Sequence, residues 1–322
     1  MNIGTIGTGS IVEKFITNIQ KTEHLHCTAV YSRNEARGKA LAGRFGVAAV
    51  YTDMEAFLND ETIDVVYVAS PNSLHYEQSR EALKHHKHVI CEKPMTPYLA
   101  QAEELYLLAQ AKGRMLLEAV TIAHAPNFEV VKSRLGEVGR PRLVLCSYSQ
   151  YSSRYDSLRD GEVTNVFDPR FSGGALMDIN FYNIYETVAL FGRPKSVAYY
   201  PNKYENGIDT SGIAVLVYPD FVCQCTGAKD TWGVNSVQIQ GEDGYIFVEG
   251  STNANGGVRI VTRDGEELID RQPDGDQWYY ELQSLDAILE NEDMDACDRL
   301  KQATLDTAWV LEQARKSAGM SF

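Results

Sequence analysis

The feature that most constrains the fold is a regular alternation of short apolar runs and helix-like stretches over the first 118 of 322 residues. Such alternation is typical of a doubly wound parallel sheet with helices on both faces. The predicted strands are Asn2–Ile6, His26–Ser32, Val65–Ala69, His88–Cys91 and Met115–Glu118, with a short one at Tyr51–Asp53. The predicted helices lie near residues 10–20, 34–44, 54–59, 75–86 and 97–112.

The pattern changes after residue 119, where longer alternating strands replace the βα rhythm. These strands predict an open, mostly antiparallel sheet in an α+β domain, at Pro141–Tyr151, Ser196–Tyr200, Thr210–Tyr218, Phe221–Ala228, Ser236–Gly241, Gly244–Glu249 and Val258–Arg263. The predicted helices are 126–135, 174–191, 277–291 and 298–318, with a polar loop at 152–172. We therefore expect two domains, 1–118 and 119–322, with the last helix packing back on the first.

A glycine-rich turn, Gly7-Thr8-Gly9, follows the first strand and opens the first helix. Gly7 permits a tight turn, Gly9 lets the backbone approach a pyrophosphate, and a helix N-terminus supplies oriented N–H groups, here at Ser10 and Ile11. A structural turn is the alternative, and Val12 stands where a third glycine is usual. Its place at the first βα junction favours dinucleotide binding.

The second strand ends without the acidic residue that usually binds the ribose 2′-hydroxyl of NAD. Ser32 and Arg33 stand there instead, with Arg37 one helical turn later, and these side chains can donate to a 2′-phosphate. The sequence therefore predicts NADP(H) in preference to NAD(H), with NAD(H) as the alternative. Arg33 could instead be a solvated residue at the start of a helix.

Two more segments lie at the carboxyl edge of the predicted sheet, where ligands bind in open α/β folds. The first is Ser70-Pro71-Asn72-Ser73-Leu74-His75, which we expect to line the cofactor through residues 70–72, 74 and 75, unless Ser73 merely caps the next helix. The second is Glu92-Lys93-Pro94, which ends the fourth main strand. A lysine at Lys93 can reach the reacting end of a nicotinamide.

These motifs together resemble the glucose-fructose oxidoreductase, inositol dehydrogenase and MocA family. The resemblance is carried by Gly7–Gly9, Ser70–His75, Cys91–Pro94 and Gly173-Gly174-Ala175-Leu176-Met177-Asp178, in that order, and by Glu118-Ala119. It implies an N-terminal Rossmann domain and a C-terminal domain whose open sheet forms homodimers or homotetramers. It also implies hydride transfer between NAD(P) and a sugar, polyol or cyclic diol.

The same resemblance assigns roles to residues. It implies that Lys93 is catalytic, that Glu92-Lys93-Pro94 borders the nicotinamide, and that a cis peptide precedes Pro94. The chain departs from the family pattern at Asn180, where glycine is common, and at His124, near which an arginine is usual. His124 is expected to lie in a loop that faces the site, where it could contact substrate.

Asp178 and Tyr182 are four residues apart on a predicted helix, so they share one face. Oxidation of an alcohol requires removal of its proton, and a lysine cation nearby would favour the phenolate of a tyrosine. We therefore expect Tyr182 to exchange the proton, Lys93 to stabilise the oxyanion, and Asp178 to orient a substrate hydroxyl or Lys93. The alternative is that Tyr182 only packs.

Charge and composition narrow the partners and the location. A net charge of −14 argues against nucleic-acid binding, and its concentration in residues 119–322 favours an uncharged substrate. Together with the resemblance, this implies a small neutral polyhydroxylated substrate. The chain has no apolar run of membrane length and no N-terminal signal pattern, so we expect a cytoplasmic protein that does not bind membranes. Cys223 and Cys225 are interpreted as alternate strand residues and His85–His88 as a helix end, so no metal is expected.

The sequence thus predicts an NAD(P)-dependent oxidoreductase that acts on CH–OH groups. The alternative from another class is a non-enzymatic regulator of the same fold, which the presence of Lys93, Asp178 and Tyr182 disfavours. A glycosidase that oxidises its substrate transiently with NAD is a third alternative. The missing acid after the second strand disfavours it.

Overall fold

A computed structural model describes residues 1–273 and 276–321. The chain divides into two compact units, each built from two segments. The first unit comprises Met1–Val120 and Trp278–Leu305, and the second comprises Thr121–Gln277 and Asp306–Phe322. A C-terminal segment therefore returns to the first unit.

The first unit contains a six-stranded parallel sheet in the order β3-β2-β1-β4-β5-β6. Its strands are β1 (Asn2–Ile6), β2 (His26–Tyr31), β3 (Ala49–Tyr51), β4 (Val65–Val68), β5 (His88–Glu92) and β6 (Leu116–Ala119). All six predicted strands are present, within two residues of their predicted ends. The doubly wound order places the carboxyl ends of β1 and β4 side by side, and the strand order reverses there.

Helices cover both faces of this sheet, which explains why its strands are apolar on both sides. They are α1 (Ser10–Ile19), α2 (Glu35–Phe45), α3 (Met54–Leu58), α4 (His75–Lys84) and α5 (Leu99–Lys112). One core combines Ile3 with Phe15 of α1 and Leu285, a residue of the returning C-terminal segment. The core on the other face combines Val66 with Leu83 of α4.

The second unit contains an eight-stranded sheet in the order β14-β13-β12-β11-β7-β10-β9-β8. Its strands are β7 (Pro141–Ser149), β8 (Ser196–Lys203), β9 (Asp209–Val217), β10 (Val222–Ala228), β11 (Ser236–Gly241), β12 (Gly244–Glu249), β13 (Val258–Thr262) and β14 (Gly265–Ile269). Only β7 and β10 pair in parallel, so the predicted mostly antiparallel sheet is confirmed. The edge strand β14 was not predicted.

The remaining helices are α6 (Pro126–Arg134), α7 (Ser153–Arg159), α8 (Phe181–Phe191), α9 (Gln277–Glu290) and α10 (Met294–Ser317). Two of them differ from the sequence prediction. The predicted polar loop 152–172 contains α7, because Ser152 caps it and Leu158 is buried against Phe167. The predicted helix 174–191 begins with a π-helical turn, Leu176–Asn180, before α8.

The two faces of the second sheet differ in composition. Val144, Cys146 and Leu216 are buried on the face that α8 covers, whereas Leu143 and Val222 on the opposite face are 45% and 39% exposed. This alternation matches the period of two along a strand. Across the described residues, none of the helices combines the length and the apolar character needed to cross a membrane.

Candidate active site

The backbone of the first βα junction explains both glycines of the predicted nucleotide turn. Gly7 has φ +120°, and a Cβ there would lie 2.6 Å from the carbonyl oxygen of Ala69. Gly9 precedes α1, and no described atom lies within 4 Å of where its Cβ would be. Ser10 is exposed and Ile11 is half-buried. The N-terminus of α1 is therefore open to an approaching phosphate, as a dinucleotide site requires.

The end of β2 presents two exposed cations. Arg33 and Arg37 are exposed, whereas Ser32 is buried and its Oγ donates to the carbonyl oxygen of Asn34 at 2.9 Å. The side chain of Asn34 accepts from the Arg37 backbone N–H at 3.0 Å and caps α2. The Ser32 hydroxyl proton is thus used within the turn. The arginines are the groups that offer charge to a 2′-phosphate.

The Ser70–His75 segment is a short 3-10 turn that leads directly into α4. Its Ser70 hydroxyl donates to Gln78 at 2.7 Å, and the Leu74 backbone N–H donates to the Pro71 carbonyl at 2.8 Å. The prediction that Ser73 caps the helix is wrong: Leu74 occupies the capping position, and no side chain caps there. The 3-10 turn at Asn72–Leu74 takes over that role because its carbonyls accept the first N–H groups.

His75 connects this segment to the lysine motif. The ring is buried, with Nδ1 3.0 Å from the Pro94 carbonyl oxygen and Nε2 2.8 Å from that of Ser70. Burial lowers the pKa of His75. Both ring nitrogens therefore face backbone, so His75 shapes the cofactor-side loops by holding them together.

Hydrogen bonds hold the turn that carries the lysine motif Glu92-Lys93-Pro94. Lys93 is half-buried after β5, and the Lys93–Pro94 peptide is cis, as the resemblance implied. Glu92 accepts from the Tyr67 hydroxyl at 2.6 Å, and the Met95 backbone N–H donates to Glu118 Oε1 at 2.7 Å. The turn that carries Lys93 is thus fixed on both sides by carboxylates.

Glu118 is a site residue to which the sequence analysis assigned no role. Burial raises its pKa to about 7, and the charge of Glu92 adds to this, while the Met95 N–H and the charge of Lys93 oppose it. The signal was its position at the carboxyl end of β6, beside the end of β5. Glu118 therefore changes charge near neutral pH within electrostatic reach of the predicted catalytic lysine.

In the second unit, the Gly-Gly motif fits against a buried carboxylate. Gly174 has φ +99°, and a Cβ there would lie 2.0 Å from Asp209 Oδ1. Asp209 Oδ2 accepts from the Leu176 backbone N–H at 2.6 Å and from the Tyr199 hydroxyl at 2.7 Å. This contact fixes the start of the π-helical turn, and it could not be predicted from local sequence because Asp209 lies 33 residues further along the chain.

Asp178 lies in that π-helical turn and pairs with a lysine that the sequence analysis missed. Its Oδ2 accepts from Nζ of Lys229, which follows β10. The side chain of Lys229 is 8% exposed and that of Asp178 is 35% exposed. The carboxylate therefore reaches the surface of the unit from a position set by a buried cation.

Tyr182 is the second residue of α8, and its ring contacts aromatic neighbours. It is half-buried, and its ring centroid lies 6.0 Å from that of Tyr148 and 5.7 Å from that of Phe181. Asn180 is buried and donates to the carbonyl oxygen of Cys225 at 3.0 Å. The Asn180 side chain thus connects the π-helical turn to β10 of the sheet. Part of the Tyr182 side chain remains exposed.

The histidines have separate surroundings. His85 Nδ1 lies 2.9 Å from the Glu81 carbonyl oxygen, His86 is in a left-handed conformation at φ 59°, and His88 Nδ1 accepts from the Met115 N–H at 3.1 Å. Desolvation lowers the pKa of His124 to about 4. His124 is therefore neutral at neutral pH.

Three thiols meet on the covered face of the second sheet. The Sγ atoms of Cys146, Cys223 and Cys225 lie within 4.8 Å of one another, and all three residues are buried. Burial raises the pKa of Cys223 and Cys225 well above the usual range. All three Sγ atoms lie within 3.3–3.7 Å of the Thr187 hydroxyl of α8, and we interpret the cluster as core packing between the sheet and that helix.

Comparisons with known proteins agree with this geometry. Residues 1–120 match the model of an oxidoreductase family with an NAD-binding Rossmann fold, named GFO_IDH_MocA, and residues 132–247 match the GFO/IDH/MocA C-terminal domain. The chain has the fold of the 3-ketoreductase KijD10 of Actinomadura kijaniata, crystallised with NADP and TDP-benzene. That match has a TM-score of 0.84 at 23% identity and covers 98% of this chain and 97% of the other.

Two curated relatives are more similar in sequence. The scyllo-inositol 2-dehydrogenase (NADP(+)) IolU of Bacillus subtilis is 35% identical, over 98% of this chain and 97% of its own length. The D-xylose 1-dehydrogenase (NADP(+)) 2 of Haloferax volcanii is 30% identical, over 79% of this chain and 78% of its own. The predicted fold class and the predicted class of enzyme, an NAD(P)-dependent oxidoreductase, are confirmed. The protein belongs to the Gfo/Idh/MocA oxidoreductase family.

Proposed function

We propose that the protein catalyses reversible hydride transfer between NADP(H) and a secondary alcohol of a cyclitol or sugar. The observation that carries this proposal is the similarity, over nearly the whole chain, to an inositol dehydrogenase that uses NADP(+). The exposed start of α1, which no side chain caps, supports the binding of a dinucleotide. Glycine is required at position 7, because a side chain there would collide with the backbone of Ala69. Lys93, Asp178 and Tyr182 supply the remaining chemistry.

The preference for NADP(H) rests on the end of β2. Arg33 and Arg37 are exposed. The one acidic residue between them in the chain that could bind the ribose 2′-hydroxyl instead is Glu35. The carboxylate of Glu35 pairs with Lys39 at 2.7 Å on the surface of α2. A 2′-phosphate would offset the two positive charges, and a 2′-hydroxyl would not.

The chain's own residues divide the proton chemistry. When bound, the nicotinamide accepts or supplies the hydride. Lys93, a cation held by a braced turn, stabilises the negative charge that develops on the substrate oxygen. The Tyr182 hydroxyl takes up or returns the proton of that oxygen. Asp178 accepts a hydrogen bond from a neighbouring substrate hydroxyl, which orients the ring.

A second copy of the chain is the proposed partner. The uncovered face of the second sheet exposes a row of apolar side chains on neighbouring strands: Leu143 on β7, Val222 on β10 and Val217 on β9. Exposed apolar patches of this kind mark interaction sites. We propose a homodimer or homotetramer assembled through this face.

A cytoplasmic location, in which the six cysteines stay reduced, fits their free state.

The function is tested by turnover of purified protein with scyllo-inositol and D-xylose, each with NADP(+) and with NAD(+), followed by absorbance of the reduced nicotinamide. Reduction of NADP(+) by either alcohol is the expected result. Tight NADPH binding without turnover of any polyol or sugar would contradict the proposal and favour a cofactor-binding regulator. Reduction of NAD(+) alone would overturn the cofactor preference and keep the dehydrogenase.

A further inference from the structure

The second unit contains a lysine whose surroundings fix where its charge lies. Lys229 directly follows β10, its backbone N–H donates to the Thr210 carbonyl at 2.8 Å, and its carbonyl accepts from the Ser152 N–H at 3.0 Å. The backbone is thus held by β9 on one side and, on the other, by Ser152, the residue that caps α7. The next residue, Asp230, accepts from the hydroxyls of Thr210 and Ser211 at 2.7 and 3.0 Å.

The direction of the Lys229 side chain follows from these contacts. The Asp230 carboxylate accepts hydrogen bonds from two hydroxyl groups of β9. Nζ of Lys229 instead contacts Asp178. An ammonium group with 8% of its side chain exposed requires a partner, since burying an unpaired charge is costly. Asp178 is that partner.

Asp178 is fixed independently of Lys229 at its backbone. The turn that carries it begins at Leu176, whose N–H is bonded to Asp209, and continues through Asn180, whose side chain donates to Cys225. π-helical turns of this kind are frequent at functional sites. The backbone of Asp178 and that of Lys229 are therefore both anchored to the same sheet, so the pair is preorganised.

We propose that Lys229 is a positioning residue for the reaction: its ammonium group holds the Asp178 carboxylate in one orientation, so that Asp178 accepts from a substrate hydroxyl rather than serving Lys93. This inference rests on the proposed function. A carboxylate held through Oδ2 by a buried ammonium keeps its orientation when substrate leaves. It selects substrates that carry a hydroxyl beside the reacting carbon.

The test measures kcat and KM for scyllo-inositol with NADP(+) in the wild type, Lys229→Met, Asp178→Asn and the double variant. We expect Lys229→Met to raise KM and to lower kcat/KM on the order of a hundredfold, the size of effect that a misplaced positioning group produces. Asp178→Asn in the Lys229→Met background should add little, because the two residues act as a unit. Lys229→Arg should restore much of the loss, and NADPH affinity should not change.

The matched control is Lys203→Met. Lys203 lies in the same unit, is exposed, and donates to the Ala318 carbonyl, and its loss should leave both constants unchanged. A purely structural role for Lys229 predicts a lower kcat from a smaller folded fraction with KM unchanged, and that result would overturn the proposal. Additive effects of Lys229→Met and Asp178→Asn would overturn it as well.

Two outcomes separate this inference from the function on which it rests. If the wild type turns over scyllo-inositol and Lys229→Met has the same constants, only the role of Lys229 fails. If the wild type reduces NADP(+) with neither scyllo-inositol nor D-xylose, the proposed function fails and the role of Lys229 fails with it. If Lys229→Met does not fold, Lys229→Gln replaces it in the cycle with Asp178→Asn: coupling supports the role, and additivity overturns it.

Discussion

At the scale of single residues, we expect the choice between NADPH and NADH to depend on the exposed Arg33 more than on Ser32 beside it. Ser32 is buried and bonded within its turn, whereas Arg33 is exposed at the end of β2. We expect Arg33→Ala to weaken NADPH binding by about 1.5–3 kcal/mol, the value of a hydrogen bond to a charged group, and to leave NADH binding nearly unchanged. Fluorescence titration with both nucleotides measures this.

The matched control for that titration is Arg140→Ala, an exposed arginine in the second unit. Equal weakening of NADPH and NADH binding by Arg33→Ala would mean that Arg33 stacks on the adenine rather than selecting the phosphate. If Arg33→Ala leaves the ratio of NADPH affinity to NADH affinity unchanged, Arg33 is not the 2′-phosphate ligand.

Glu118 predicts a pH dependence of stability. Its pKa is raised from the usual 4.5 to about 7, so the folded state binds its proton more tightly than the unfolded state does. The stability that this proton contributes is fully present below the unfolded pKa of about 4.5 and is lost as the pH rises through about 7. A shift of this size corresponds to about 3 kcal/mol.

We expect Glu118→Gln to flatten that dependence, because the amide cannot ionise and its oxygen still accepts from the Met95 N–H. Urea unfolding at a series of pH values should show the free energy of unfolding of the variant rising relative to that of the wild type between pH ~5 and pH ~8, by up to about 3 kcal/mol. Glu35→Gln, at an exposed position, provides the control. Parallel curves for wild type and Glu118→Gln would show that Glu118 does not titrate in this range.

At the scale of elements, the sequence predicted what local pattern encodes. β4 is an uninterrupted apolar run, Val65–Val68, and it was found where expected because a strand buried on both faces needs such a run. β14, with the sequence Gly-Glu-Glu-Leu-Ile, was missed because an exposed edge strand carries no apolar alternation. Lys229 and Asp209 were missed for a different reason: their partners lie 51 and 33 residues away in the chain.

The fit of the Gly-Gly motif against β9 gives a prediction for one element. We expect Gly174→Ala to destabilise the protein by more than about 2 kcal/mol, since a positive φ alone costs an alanine about 1–2 kcal/mol and the Cβ would also displace Asp209. Gly43→Ala, in the exposed face of α2 with open space around it, should instead stabilise by up to about 1 kcal/mol. Thermal unfolding of both variants tests this, and a neutral Gly174→Ala would mean that the Asp209 contact is easily rearranged.

At the scale of the whole molecule, the uncovered face of the second sheet exposes apolar side chains on neighbouring strands. Leu143, Val222 and Val217 are directly opposite one another on three adjacent strands and are 45%, 39% and 37% exposed. Because each side chain is already more than half buried, removing the rest of its surface from water would contribute about 0.6–1.2 kcal/mol each. The covered face of the same strands already packs under α8, so the open face is the one through which we propose that a second copy of the chain binds.

We expect Val222→Lys to dissociate that assembly, because it would place an unpaired ammonium group at the centre of the apolar row. Sedimentation equilibrium should show the dissociation constant rising at least about a hundredfold, which corresponds to about 2.8 kcal/mol. Val234→Lys changes a valine that is 84% exposed and lies outside the strands, so its dissociation constant should match the wild type. If Val222→Lys remains assembled and folded, the copies associate through another surface and the sheet face binds something else.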